Sequence, residues 1–214
     1  MKTIKIIAIE GLDKSGKYSA ANMLLDRLTV DGYKVAKGEH HRYDQPTGEL
    51  IMKWLKKEYD VDQSTIELIM TADKQAQQKW YKQLEDEGYD FLILDRYTLS
   101  QLAYANANKI PVEWTVELQR YMRKPDIDIV IDISPEVSMG RKGKHNEGQN
   151  DRYESDRAML EEVRSNYILM KEKYSAPMKF IVNGEQPIDD VHYEIYQIVK
   201  DNLCEVSFEE TDCN

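Results

Sequence analysis

The sequence predicts an α/β fold built on a parallel sheet. Two observations carry this expectation. Short apolar runs alternate with longer segments of helical spacing along the chain. That is the pattern of β-α-β units whose sheet is covered by helices on both faces. The first apolar run is joined to the first amphipathic segment by a glycine-containing loop, Gly11-Leu-Asp-Lys-Ser-Gly-Lys17. Strand, loop and helix in that order are the setting in which G-x-x-x-x-G-K is a phosphate cradle. Ligands of such sheets bind at the carboxyl ends of the strands.

The elements follow in chain order. Ile4–Ile9 is the first predicted strand. In the loop after it, Gly11 and Gly16 allow backbone angles closed to other residues. The N–H groups of Asp13, Lys14, Ser15 and Gly16 can then turn inward around a phosphate. The helix from Ala20 to Leu28 aims its positive end at the same anion. Lys17 adds a full charge. A Ser or Thr that ligates Mg2+ normally comes next; here that position is Tyr18, and the hydroxyl comes at Ser19. Asp31-Gly32 ends the helix with a C-cap glycine, and Tyr33–Ala36 is the second strand. Ile66, Ile69, Met70, Asp73, Ala76, Trp80 and Leu84 share one stripe and predict a single long helix. Strands follow at Phe91–Leu94, Ile127–Ile133 and Met178–Val182. Met159, Leu160, Val163, Tyr167 and Met170 mark a helix between the last two. Gly143-Lys-His-Asn-Glu-Gly-Gln-Asn150, with Arg141, Lys142, Lys144 and Arg152 around it, reads as a mobile basic lid over about 141–152. One domain is expected over 1–203, and residues 204–214 as a loose acidic tail.

Bulk properties narrow the function. At 214 residues, 41% hydrophobic and 32% charged, the chain suits one globular domain with a sizeable core. No apolar run approaches the roughly 20 residues of a membrane span, and the start of the chain has no signal-peptide pattern. Cys204 and Cys213 imply no disulfide framework, so a cytoplasmic setting is expected. A net charge of −10 argues against a binder of nucleic-acid polymers. An anionic substrate would need a local basic pocket.

Phe91-Leu-Ile-Leu-Asp-Arg-Tyr97 is a buried-strand pattern that ends in Asp95. Beside a phosphate loop, such an Asp holds Mg2+, and Arg96 can grip a phosphate with two parallel hydrogen bonds. Asp13, inside the loop, would repel a triphosphate unless it faces a cation or the hydroxyl of a second substrate.

Several separated motifs together resemble the thymidylate kinases. They are Gly11-Leu-Asp-Lys-Ser-Gly-Lys17, Asp95-Arg-Tyr97 with Ser100-Gln-Leu-Ala-Tyr104, Pro125-Asp126, Ser134-Pro-Glu136 with Arg141, and Asp151-Arg-Tyr-Glu154. The resemblance runs from about residue 4 to residue 200. It implies a P-loop kinase fold of three layers, with a five-stranded parallel sheet wrapped by helices and a short lid. It also implies transfer of the γ-phosphoryl group of ATP to thymidine 5′-monophosphate (dTMP) with Mg2+, by a homodimer. Lys17 and the loop would hold the ATP phosphates. Asp13 would meet the 3′-hydroxyl of the acceptor and lie near the metal. Asp95 would serve the metal, and Arg96 the acceptor phosphate. Arg42, in His41-Arg-Tyr-Asp-Gln-Pro-Thr-Gly48, would lie near the transferred phosphate. Gln101 and Tyr104 would line the deoxyribose, and Arg141 and Arg152 would close on ATP from the lid.

Three positions depart from the family pattern. Tyr18 replaces the loop hydroxyl. Met70 stands where an aromatic ring usually stacks on thymine, and Lys74 where an arginine usually bonds the base. The expected acceptor is dTMP. A modified deoxyuridine monophosphate such as 5-hydroxymethyl-dUMP, a deoxynucleoside acceptor and a non-catalytic nucleotide-binding regulator stay open as alternatives.

Overall fold

The computed structural model describes residues 3–141, 153, 156–170, 174 and 176–204. Five strands, β1 (Lys5–Glu10), β2 (Val35–Glu39), β3 (Phe91–Asp95), β4 (Ile127–Asp132) and β5 (Met178–Asn183), form one sheet in the order β2-β3-β1-β4-β5. Every neighbouring pair is parallel. Central β1 shows why the sequence run is apolar throughout. Its side chains alternate between faces, and both faces are covered. Ile7 and Ile9 enter a core beneath α1 (Lys17–Val30) and α9 (Ile188–Leu203). Ile6 and Ala8 enter the opposite core with Leu92, Leu94 and Tyr97. Farther along that face, α5 (Thr98–Ala107) and α8 (Arg157–Leu169) pack over Val130 and Ile133.

Strand β2 begins two residues later than expected and continues into polar sequence. Tyr33 instead packs edge-on against Phe91, ring centres 5.0 Å apart, and the Lys34 N–H goes to the Asp90 carboxylate. An edge strand is only half buried, so Lys37 and Glu39 are tolerated in it. Gly38 leaves room for the Trp80 ring, 3.0 Å from where a Cβ would stand.

The single helix expected over Ile66–Leu84 is two helices, α3 (Gln63–Ala76) and α4 (Gln78–Asp86), with the break at Gln77. Its apolar stripe serves two different partners. Tyr81 and Leu84 of α4 pack on the sheet with Ile4, Ile6 and Leu92. Ile66 of α3 joins a separate small core with Ile51 and Trp54 of α2 (Pro46–Leu55) and with Tyr153. Remaining short helices are α6 (Val112–Leu118) and α7 (Pro135–Gly140). Among the described residues, no helix is long and apolar enough to cross a membrane. Residues 142–152 of the expected lid, with Arg152, and residues 205–214 of the expected tail, with Cys213, lie outside the described residues.

The start of α2 sits directly on the chain that precedes it. A Cβ at Gly48 would lie 1.8 Å from the Arg42 carbonyl oxygen. Gly48→Ala must therefore push α2 off the Arg42–Tyr43 backbone. We expect a loss of roughly 2 kcal/mol or more of unfolding free energy in urea titration. A loss under half that would mean the helix can shift freely.

Candidate active site

The carboxyl ends of β1 and β3 lie side by side, so Glu10 with the glycine loop and Asp95 with Arg96 meet at one point. In the loop, Gly11 takes φ 135° and Gly16 φ 101°, and Lys14 is left-handed at φ 63°. A side chain at Gly11 would also strike the Ile131 carbonyl, 2.4 Å from the Cβ position. Lys17 opens α1 and lies across the loop, with Nζ donating to the Leu12 carbonyl at 2.6 Å. Burial, with Arg96 nearby, lowers its pKa to about 8, against the opposing charges of Asp13, Asp95 and Glu10. Ser15 is buried in the loop and Ser19 is half-buried. Tyr18 points outward, 41% exposed, with the Lys37 ammonium over its ring.

Arg96 is the hub of the site. Its backbone is left-handed at φ 65°, a conformation rare for a side-chain-bearing residue. Two bonds hold it there: Arg96 N–H to the Ile9 carbonyl at 2.9 Å, and Tyr97 N–H to Glu10 Oε1 at 2.8 Å. The guanidinium donates to Asp13 Oδ1 at 2.5 Å, Ser100 Oγ at 3.2 Å and the Tyr167 hydroxyl at 3.1 Å. Ser100 in turn donates to Glu10 Oε2. Tyr104 donates to the other oxygen of Asp13 at 2.9 Å. Burial disfavours the Asp13 charge, but Arg96, Lys17 and Tyr104 outweigh it and hold its pKa at about 2. Glu10 is wholly buried, and burial together with Asp128 raises it to about 7 despite its hydrogen bonds and Arg96.

From Arg96 a cleft runs inward between α3 and α5. Asp13, Arg96 and Tyr104 stand in its wall, as do Met70, Lys74 and Gln101. Lys74, 1% exposed, donates to Gln101 Oε1 at 3.1 Å. Burial lowers its pKa to about 8, against Glu67, Asp73 and Glu10. Gln101 Nε2 faces the Glu67 carbonyl, Glu67 Oε2 and Thr71 Oγ1, and its Oε1 also accepts from Gln119. On the other side, buried Asp73 accepts from His41 Nδ1 at 3.0 Å, the Thr47 hydroxyl at 2.8 Å and the Arg42 N–H at 3.2 Å. Burial opposes its charge, but the two histidines and Thr47 hold its pKa far below the usual carboxylate range. Burial, with Lys74 nearby, lowers His41 to about 3 and keeps it neutral.

Two expected residues stand apart. Arg42 turns outward, its guanidinium paired with Asp44 through bonds of 2.8 and 2.7 Å; its neighbour Tyr43 lines the cleft instead. Arg141 is described and bridges the glycine loop to β5, donating to the carbonyls of Lys14 at 3.3 Å and Gly184 at 2.9 Å. Sequence reasoning missed Glu10, His40, His41, Glu67 and Asp73. A signal existed for two of them: Glu67 and Asp73 are carboxylates on or beside an otherwise apolar helical stripe.

The site fits Mg2+, which binds through one or two carboxylates plus substrate phosphates. Asp95, half-buried, receives no hydrogen bond on its carboxylate from the described residues, whereas Asp13 is taken up by Arg96 and Tyr104. Among the described residues, no three His, Cys, Asp or Glu side chains form a metal cage.

Glu10 makes stability depend on pH in a defined direction. Its folded pKa of about 7 lies above the ordinary 4.5. The folded chain thus keeps a proton that the unfolded chain gives up, and stability falls as pH rises from 4.5 through 7. Relative to wild type, Glu10→Gln should gain on the order of 3 kcal/mol between pH 4 and pH 8. Denaturant melts across that range read the difference, and a flat one would refute the assignment.

Comparison with known proteins agrees with this geometry. The family model described as thymidylate kinase matches residues 9–195. A thymidylate kinase of Schizosaccharomyces pombe is 30% identical over 198 residues, covering 91% of each chain. A probable thymidylate kinase of Saccharolobus solfataricus is 29% identical over 201 residues, covering 93% of this chain and 98% of its own. The solved thymidylate kinase of Candida albicans superposes with a TM-score of 0.80 at 25% identity, covering 94% of this chain and 92% of its own. Sheet order, phosphate loop and matched span therefore converge: the chain belongs to the thymidylate kinase family.

Proposed function

We propose that this chain transfers the γ-phosphoryl group of ATP to dTMP, giving dTDP and ADP. One observation carries the reading. The Asp13–Arg96 pair joins the phosphate loop to a cleft lined by His41, Met70, Lys74 and Gln101. Lys17 and the loop N–H groups hold the β- and γ-phosphates of ATP. Arg96 grips the acceptor phosphate, and Asp13 with Tyr167 sets its direction. Tyr104 and Gln101 close the sugar's side of the cleft. Arg141 and Arg152 complete the ATP side. Asp95 would hold Mg2+, with Asp13 next to it, and the ion would supply positive charge to the phosphates. Phosphoryl transfer needs little covalent help, so alignment and charge are the protein's contribution. Homodimeric assembly and a cytoplasmic setting belong to the same reading and rest on the family resemblance.

Lys17→Ala should lower kcat/KM for dTMP by roughly 100-fold or more, equal to at least about 3 kcal/mol. A folded variant of near-normal activity would sink the phosphate-loop assignment. Asp95→Asn should abolish turnover while ATP affinity stays within roughly tenfold. Full activity in that variant would place the metal elsewhere. ADP release with and without dTMP tests the non-catalytic alternative.

A further inference from the structure

The inner wall of the cleft has an unusual hydrogen-bonding inventory. A lysine ammonium has three N–H donors. Lys74 is buried, and among the described residues only Gln101 Oε1 accepts from it. Two donors therefore face a site in which an unused donor is costly. Beside it, His41 gives its Nδ1 proton to ionised Asp73, which fixes the tautomer and leaves Nε2 as an acceptor. No described residue bonds that nitrogen. Gln101, the amide bonded to Lys74 in this wall, has both ends engaged by protein. Among the described residues, Lys74 thus offers this wall two donors and His41 one acceptor.

A pyrimidine with a bare 5-methyl group does not fill this set. Its O4 carbonyl takes one ammonium N–H, and the methyl leaves the other N–H and His41 Nε2 unpaired. A hydroxyl on the 5-substituent completes the count. It sits next to O4 on the ring, so one ammonium reaches both. Its oxygen accepts from Lys74, and its proton goes to His41 Nε2. Met70 also lines the cleft and offers a soft, adaptable surface.

We propose that the preferred acceptor is a deoxyuridine monophosphate with a hydroxyl-bearing 5-substituent, 5-hydroxymethyl-dUMP being the simplest, and that His41 and Lys74 select it. This rests on the monophosphate-kinase reading above: dTMP stays an acceptor, and its 5-hydroxylated relative is the better one. A site built to bond a hydroxyl rejects the analogue that lacks one, because its own polar groups are then left unpaired.

The test is kcat/KM from ADP release, using the full chain with MgATP and 5-hydroxymethyl-dUMP, dTMP or dUMP in parallel. We expect 5-hydroxymethyl-dUMP to exceed both others by at least roughly tenfold. In His41→Leu, the ratio of 5-hydroxymethyl-dUMP to dTMP should fall to about one; circular dichroism and a thermal melt of the same sample report its folding. Calorimetric binding of the two monophosphates to wild type repeats the comparison without catalysis. Equal or better use of dTMP by wild type overturns the proposal and leaves the kinase standing. So does a wild-type ratio that survives His41→Leu. ADP release that no monophosphate stimulates overturns both readings.

Discussion

The constraint on which the site depends is Arg96: a full positive charge, on a left-handed backbone, inside a closed cleft. Such a residue is costly unless its surroundings define it completely. Glu10 does most of this. One carboxylate oxygen holds the backbone just after Arg96, and the other holds Ser100, which bonds the guanidinium. Asp13 then neutralises the charge from the phosphate loop, and Tyr104 holds Asp13. Backbone, counter-ion and hydroxyls come from three different elements. Only a parallel sheet that sets β1 beside β3 brings them together.

The opposite wall has a second buried carboxylate with a comparable task. Asp73 ties the Arg42 backbone, the Thr47 hydroxyl at the start of α2 and the His41 ring to α3. The segment before α2 is thereby held against the helix that carries Met70 and Lys74. Gly48 makes this possible, since any side chain there would hold α2 away.

The sheet was legible because each strand is an apolar run bounded by polar sequence. β2 was misplaced by two residues because an edge strand needs no apolar face beyond the one it packs. The break at Gln77 was hidden because the helical stripe continues through it, although each half packs on a different core. Glycine loop, Asp95 and Arg96 were legible as a motif. Glu10 was not, because a charge ending an apolar strand looks like the strand's boundary. The expectation for Arg42 came from the family resemblance; here Asp44 two residues on draws its side chain outward and Tyr43 faces the cleft. His41 and Asp73 lie 32 positions apart, and nothing in either segment announces their pairing.

The small core beneath α2 and α3 has a consequence for how such a protein can diverge. Ile51, Trp54 and Ile66 pack there with Tyr153, away from the two layers that hold the sheet. Met70 packs against that satellite, whereas the phosphate loop and Arg96 are anchored to the sheet. Mutational drift at position 70 is thus insulated from the residues around Arg96. A lineage can exchange one nucleobase preference for another in a few steps, without passing through a form that has lost its phosphate chemistry.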